Sequence, residues 1–184
     1  MYNKFFAKGK NNMAATTTWY EDNGSATGSP AHGTATVVTT CDWKSVDSAT
    51  TTRAAAPVAA GSNSYHKYNY VKFSGTFNEI SDAKFAHTAG TLGTGISLKG
   101  KITSTYATPA TSALASSTDI TSTTAIGSGM AVLLSTTGPY GANPSASITA
   151  EGYTQYIVTQ VQTTSSAAAG DSGTATLTVQ YNEN

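Results

Sequence analysis

The chain holds a single cysteine, Cys41, in 184 residues. An intramolecular disulfide is therefore impossible, and zinc sites built from paired cysteines are excluded. Charge is scarce too. Only 11% of the residues are Asp, Glu, Lys or Arg, against about a quarter in ordinary globular domains. The 10 basic and 10 acidic residues cancel, so there is no basic excess to displace counterions from nucleic-acid phosphates. Long apolar runs are missing as well. The longest, Met130 to Leu134, is strand-sized and falls far short of the roughly 18 residues a membrane helix needs. Residues 1–12 carry lysines but no apolar stretch and no small-residue cleavage site, which predicts no secretory leader and synthesis in a cytoplasm.

What replaces the charge is Thr, Ser, Ala and Gly, with 10 Tyr, 5 Phe and 2 Trp to fill a core. Low net charge with this many aromatics is not the composition of a disordered chain. Thr suits a pleated, half-wet surface because its branched Cβ fits a strand and its hydroxyl tolerates water. A charge-poor, Thr-rich surface is also easy to desolvate against a neighbour, since no ions must be stripped of water.

The pattern along the chain is that of strands. Thr16 to Glu21 carries Trp19 and Tyr20. Asp22 to Gly33 is rich in Asn, Gly, Ser and Pro and reads as a loop. Thr34 to Thr40 is mostly β-branched, and Trp43 follows as a core anchor. Ser48 to Ser64 is a low-complexity run read as an extended crossing segment. Tyr65 to Phe77 places Tyr68 and Tyr70 on one face and Val71, Phe73 and Phe77 on the other. Glu79 to Phe85, Gly95 to Thr103, Met130 to Ser135, Tyr153 to Gln162 and Thr174 to Tyr181 complete the set, the last alternating Ala175, Leu177, Val179 and Tyr181 against Thr and Gln. Residues 104–128 read as loop with a short strand. Tyr153 is grouped by simple alternation with Ile157 and Val161, opposite Tyr156 and Val158. Eight to ten short strands with turns between them and no amphipathic helix predict an all-β fold, an antiparallel β-sandwich of jelly-roll or immunoglobulin-like type. The expected division is an extended N-terminal arm, 1–14, and a single domain, 15–184.

Motifs that carry chemistry are few. His32, His66 and His87 have no metal-ligand spacing. No Gly-x-Ser-x-Gly elbow is present. Gly95 to Lys101 matches the first seven positions of a phosphate-binding loop, but Ile102 stands where Ser or Thr must ligate magnesium, and the stretch alternates like a strand. Glu79, Asp82 and Glu151 offer no pair that a glycosidase would need across a cleft. Asn23-Gly24-Ser25 is a glycosylation sequon, and Glu21 to Gly24 has acidic residues around a turn. No catalytic residue, metal or cofactor is assigned, and the chain is not read as an enzyme. Two groups remain as candidate contacts. The first is Lys4, Phe5, Phe6, Lys8 and Lys10, a basic, aromatic arm for assembly. The second is Tyr68, Tyr70, Tyr153 and Tyr156, an aromatic surface that a host glycan could stack on.

The string Tyr68 to Phe85, YNYVKFSGTFNEISDAKF, resembles small virion structural proteins of tailed bacteriophages. So does Gly152 to Gln162, GYTQYIVTQVQ, with the Thr-rich terminal strand ending in Tyr181-Asn-Glu-Asn184. The resemblance runs from about Cys41 to the end and lies in composition and strand phrasing. It implies a β-rich virion component: a capsid decoration (cement) protein, or else a tail or head-completion protein. Its partners would be the major capsid protein, copies of itself as a homo-oligomer, or both. It assigns no catalytic residue.

Overall fold

The computed structural model describes residues 2–8, as backbone, together with 15–168 and 173–184. Among these, the β-branched and aromatic runs form thirteen strands, and the helical content is one 3-10 turn, Ile126–Ser128. The strands are β1 Tyr2–Lys8, β2 Thr16–Thr27, β3 His32–Val37, β4 Lys67–Ser74, β5 Ile80–Ala89, β6 Ile96–Thr103 and β7 Thr118–Asp119. They continue with β8 Met130–Ala131, β9 Leu134–Ser135, β10 Ser147–Ile148, β11 Gly152–Thr154, β12 Tyr156–Thr163 and β13 Thr174–Glu183.

They make two sheets packed as a β-sandwich. The smaller runs β1-β13-β5-β10, with β8 also on β5. The larger runs β3-β2-β4-β12-β6-β7, with β11 joined to β4 and β9. All pairings are antiparallel except β1 on β13, which is parallel, with Phe5 opposite Leu177. The apolar run Met130 to Ser135 serves both layers: β8 pairs with β5 in one sheet and β9 with β11 in the other. It is one of several places where the chain changes sheets.

Period-two alternation sends one side of each strand into the space between the sheets. Trp19, Val71, Phe73, Leu98, Ile157 and Val161 from the larger sheet meet Ala83, Phe85, Leu177, Val179 and Tyr181 from the smaller. Phe73 and Tyr181 meet edge to face, with ring centroids 4.9 Å apart. Burying rings of this size supplies most of the drive for the two sheets to pack. The expected alternation of Thr174 to Tyr181 holds residue for residue.

Two readings change. The stretch Asp22 to Gly33 is not a loop: β2 continues to Thr27, and the chain reverses into β3 at His32. Its polar residues stay in the sheet because neighbouring side chains bond to them, Tyr156 to Asp22, and Glu21 and Asp47 to Asn23. The alternation of Tyr153 with Ile157 and Val161 fails because Gln155 separates β11 from β12. That one-residue break puts Tyr153 with the outer-face tyrosines. Of the expected extended N-terminal arm, 1–14, residues 2–8 form β1 on the C-terminal strand β13. Its candidate residues Lys4, Phe5, Phe6 and Lys8 lie in that strand, and Lys10 lies outside the described residues. The phosphate-loop match at Gly95 to Lys101 is strand β6. Residues 38–66 carry no named strand, as the low-complexity composition of Ser48 to Ser64 predicts for that part, while the strands expected over Thr34 to Thr40 and from Tyr65 end at Val37 and begin at Lys67.

Candidate functional site

The two faces of β2 and β4 carry different chemistry, and each ends in a polar cluster. On the outer face of the larger sheet, β2 contributes Tyr20 and Asp22, β4 contributes Tyr68 and Tyr70, and β12 contributes Tyr156 and Val158. The segment after β6 folds back and covers them with Tyr106 and Leu114. Tyr20 and Tyr70 stack at 5.3 Å with planes 8° apart. Tyr156 meets Tyr68 and Tyr70 edge on, and Tyr153 reaches Tyr70 from β11.

The four tyrosines expected as an aromatic surface, Tyr68, Tyr70, Tyr153 and Tyr156, are therefore brought together. They are not one surface. Tyr68, Tyr70 and Tyr156 are buried, and only Tyr153 is partly open. The reason is the covering segment, whose Tyr106 lies 4.7 Å from Tyr68, centroid to centroid. What reaches solvent is a rim of Tyr20, Tyr140 and Tyr153, with His32 stacked on Tyr140 at 5.1 Å. Lys72 lies over the Tyr153 ring and pairs with Glu151. The sequence carried no signal for Tyr20, Tyr106 and Tyr140 as members, because they come from three separate segments.

Asp22 sits beneath this tyrosine layer. The Tyr156 hydroxyl donates to its Oδ2 at 2.6 Å. Burial raises the Asp22 carboxyl above its ordinary range, and the hydrogen bond from Tyr156, then the Gly33 amide, oppose that rise. Burial and the Asp22 charge in turn hold the Tyr70 phenol protonated far above its usual value. Gly33 admits no larger residue: a Cβ there would meet the Tyr106 hydroxyl, itself donating to the Gly24 carbonyl at 2.7 Å.

The inner face of the same strands ends in a charged cluster under the crossing segment. Glu21 lies opposite Asn69 in the β2–β4 ladder. Lys67 Nζ donates to Glu21 Oε1 at 2.7 Å with both side chains shut off from solvent, and also to the Ser48 carbonyl at 3.3 Å. Asn23 Nδ2 donates to the same Glu21 oxygen at 2.8 Å and to Asp47 Oδ1 at 2.7 Å. The sequon asparagine is thus turned onto Glu21 and Asp47, while Asp22 faces the tyrosine layer. Close by, the Lys44 ammonium donates to the Thr51 carbonyl at 2.6 Å, and burial, followed by the charge of Lys67, lowers its pKa. Cys41 donates to Asn69, and burial pushes its thiol up to about 12. Trp43 donates to Thr159 at 3.0 Å. Buried charges persist only when paired in this way. Here they fasten the crossing segment to the end of the sandwich.

The three histidines lie apart, each ring bonded to a main-chain carbonyl: His32 to Gly33, His66 to Ser112 and His87 to Ile120. Among the described residues, no group of three or more His, Cys, Asp or Glu side chains could hold a metal ion, and no helix is long and apolar enough to cross a membrane. A cavity of about 550 Å³ opens beside the crossing segment, lined by Ser45, Pro57, Val58, Ala59, Ser62, Asn63 and Thr111. Its lining has no ionisable side chain. Compared with known protein families, curated proteins and solved structures, the chain has no match.

Proposed function

We propose that this chain is a structural protein of a virion, a capsid decoration protein that binds the assembled phage head and stabilises it. The observation that carries the reading is the placement of Tyr2–Lys8 as the edge strand of the smaller sheet, paired on one side only and in parallel with the C-terminal strand. An edge strand presents main-chain donors and acceptors that a neighbouring chain can pair with, without a deep pocket. The same segment holds the Lys and Phe residues singled out for assembly. The sparse charge supports the reading, because a surface with few ions is inexpensive to desolvate. Many weak, repeated contacts over a capsid lattice add up to a stable shell.

The test is co-sedimentation of the purified protein with expanded phage heads, followed by electron cryo-microscopy of the decorated particle. Density repeated over the capsid lattice supports decoration, and density confined to the tail or portal vertex makes the chain a tail or head-completion component. Absence of binding, with head stability unchanged without the protein, defeats the proposal.

A second reading, binding of a host glycan, is favoured by the partly open rim of Tyr20, Tyr140 and Tyr153 with Lys72 beside it. Sugar rings stack on such side chains while hydroxyls reach polar neighbours. A glycan array probed at high loading, with Tyr153→Ala as control, decides it.

A further inference from the structure

The cluster at the end of β2 and β4 holds the three groups that an autocatalytic cross-link requires: an amine, a carboxamide and a carboxylate that touches both. Lys67 Nζ and Asn23 Nδ2 both donate to one oxygen of Glu21, at 2.7 and 2.8 Å. Continuing the ladder in which Glu21 faces Asn69 and Asp22 faces Tyr68 sets Asn23 directly across from Lys67. Cross-strand neighbours of this kind have Cβ atoms about 5 Å apart, well within the reach of a lysine. Lys67 and Glu21 are closed to solvent, and the Asn23 carbonyl oxygen is buried without a hydrogen-bond partner. The Asn23 side chain is held through its amide nitrogen, and the partnerless oxygen is its Oδ1.

We propose that Lys67 and Asn23 form an intramolecular isopeptide bond, with Glu21 as the proton carrier. Lys67 passes a proton to Glu21, and its neutral amine attacks the Asn23 side-chain carbonyl carbon. Glu21 touches both the nitrogen that must lose a proton and the nitrogen that must gain one, so it can relay the proton to the departing amide nitrogen. One carbon–nitrogen bond forms and one breaks. The Lys67 ammonium and the Asn23 carboxamide become a secondary amide and an ammonium ion, and nothing is oxidised or reduced. Exclusion of water keeps hydrolysis from competing.

The surroundings fit this assignment in two further ways. Asp47 takes the second Asn23 N–H on Oδ1 and the Gly24 main-chain N–H on Oδ2 at 2.7 Å. The Gly24 nitrogen, which in an Asn-Gly pair would otherwise close a cyclic imide on the same carbonyl carbon, is thereby engaged. The bond would also bridge β2 to the start of β4, closing a covalent loop around β3 and the strandless segment 38–66. A chain with one cysteine has no disulfide for this purpose. A cross-link there restricts the unfolded state as a disulfide would.

The inference does not depend on the virion reading. Its test is the intact mass of the full-length protein under denaturing conditions. The expected mass is lower than that of the sequence by one ammonia. Digestion with trypsin should leave Lys67 uncut and yield a branched peptide joining it to Asn23. Lys67→Arg, which keeps the pair with Glu21, and Glu21→Gln should each restore the full mass, and the parent should migrate faster than either on a denaturing gel. The full sequence mass in the parent overturns the proposal. So does an ammonia loss that persists in Lys67→Arg, because that result assigns it to a cyclic imide at Asn23-Gly24.

Discussion

Replacing Tyr156 by Phe removes one oxygen from the tyrosine layer and leaves the ring stacking in place. The hydroxyl donates to buried Asp22 at 2.6 Å, a carboxyl that burial raises and that carries its charge above its folded pKa. Hydrogen bonds to charged groups contribute about 1.5–3 kcal/mol, and neutral ones about 0.5–1.5 kcal/mol. Tyr156→Phe should therefore lose about 1.5–3 kcal/mol once pH exceeds that pKa, read by urea denaturation. For a chain of this length, that lowers Tm by about 3–12 °C.

The pH dependence supplies a second check. Burial raises the folded Asp22 pKa above its unfolded value of 3.8, so its contribution to stability is complete below the unfolded pKa and falls as pH rises through the folded one. Tyr156 stabilises the ionised form, so the deficit of the Phe variant should grow over that window. At acid pH it should shrink to the neutral-bond range, about 0.5–1.5 kcal/mol. The same smaller loss is expected for Tyr156→Phe in an Asp22→Asn background at any pH. A deficit below about 0.5 kcal/mol at neutral pH, which is the ordinary scatter of surface changes, refutes the reasoning. A deficit of one size at both ends of the pH range does so too.

Cys41, wholly buried with its thiol pushed up to about 12, should resist thiol reagents in the folded protein at neutral pH and react at once in denaturant; equal rates would refute its burial. Gly33→Ala places a Cβ against the Tyr106 hydroxyl and the Asn23 carbonyl and should destabilise by about 1–3 kcal/mol in thermal unfolding, a loss that Tyr106→Ala in the same chain should partly relieve. Asp119 is held down to about 2, first by the Lys99 ammonium and then by Thr121. Its carboxyl resonance should titrate near that value and move upward in Lys99→Met. As a depressed carboxylate it adds stability above its unfolded pKa and loses it as pH falls through about 2, an effect kept small by its exposure.

Much of the architecture was legible in the sequence. One cysteine excluded an intramolecular disulfide, and the lack of long apolar runs matches the absence of a membrane-spanning helix among the described residues. Strict alternation in Thr174 to Tyr181 and in Tyr68 to Phe73 announced strands and their buried faces, because a strand's side chains leave it on opposite sides at every step. That rule is local, so it holds wherever the strand is unbroken, and it failed at Gln155, where one residue between two strands moved Tyr153 to the other face. It also failed at Asp22 and Asn23, whose polarity reads as loop.

Only the tertiary structure decided what those polar residues do. Asp22 needs Tyr156, and Asn23 needs Glu21 and Asp47, partners up to 134 residues away in the chain. The aromatic cluster likewise depends on Tyr106 arriving from a low-complexity segment to bury what composition alone presents as a surface. The pairing of β1 with β13 joins the two ends of the chain. Periodicity sets which side of a strand is apolar, but strand order and the meeting of distant side chains follow from how two sheets close over a shared core.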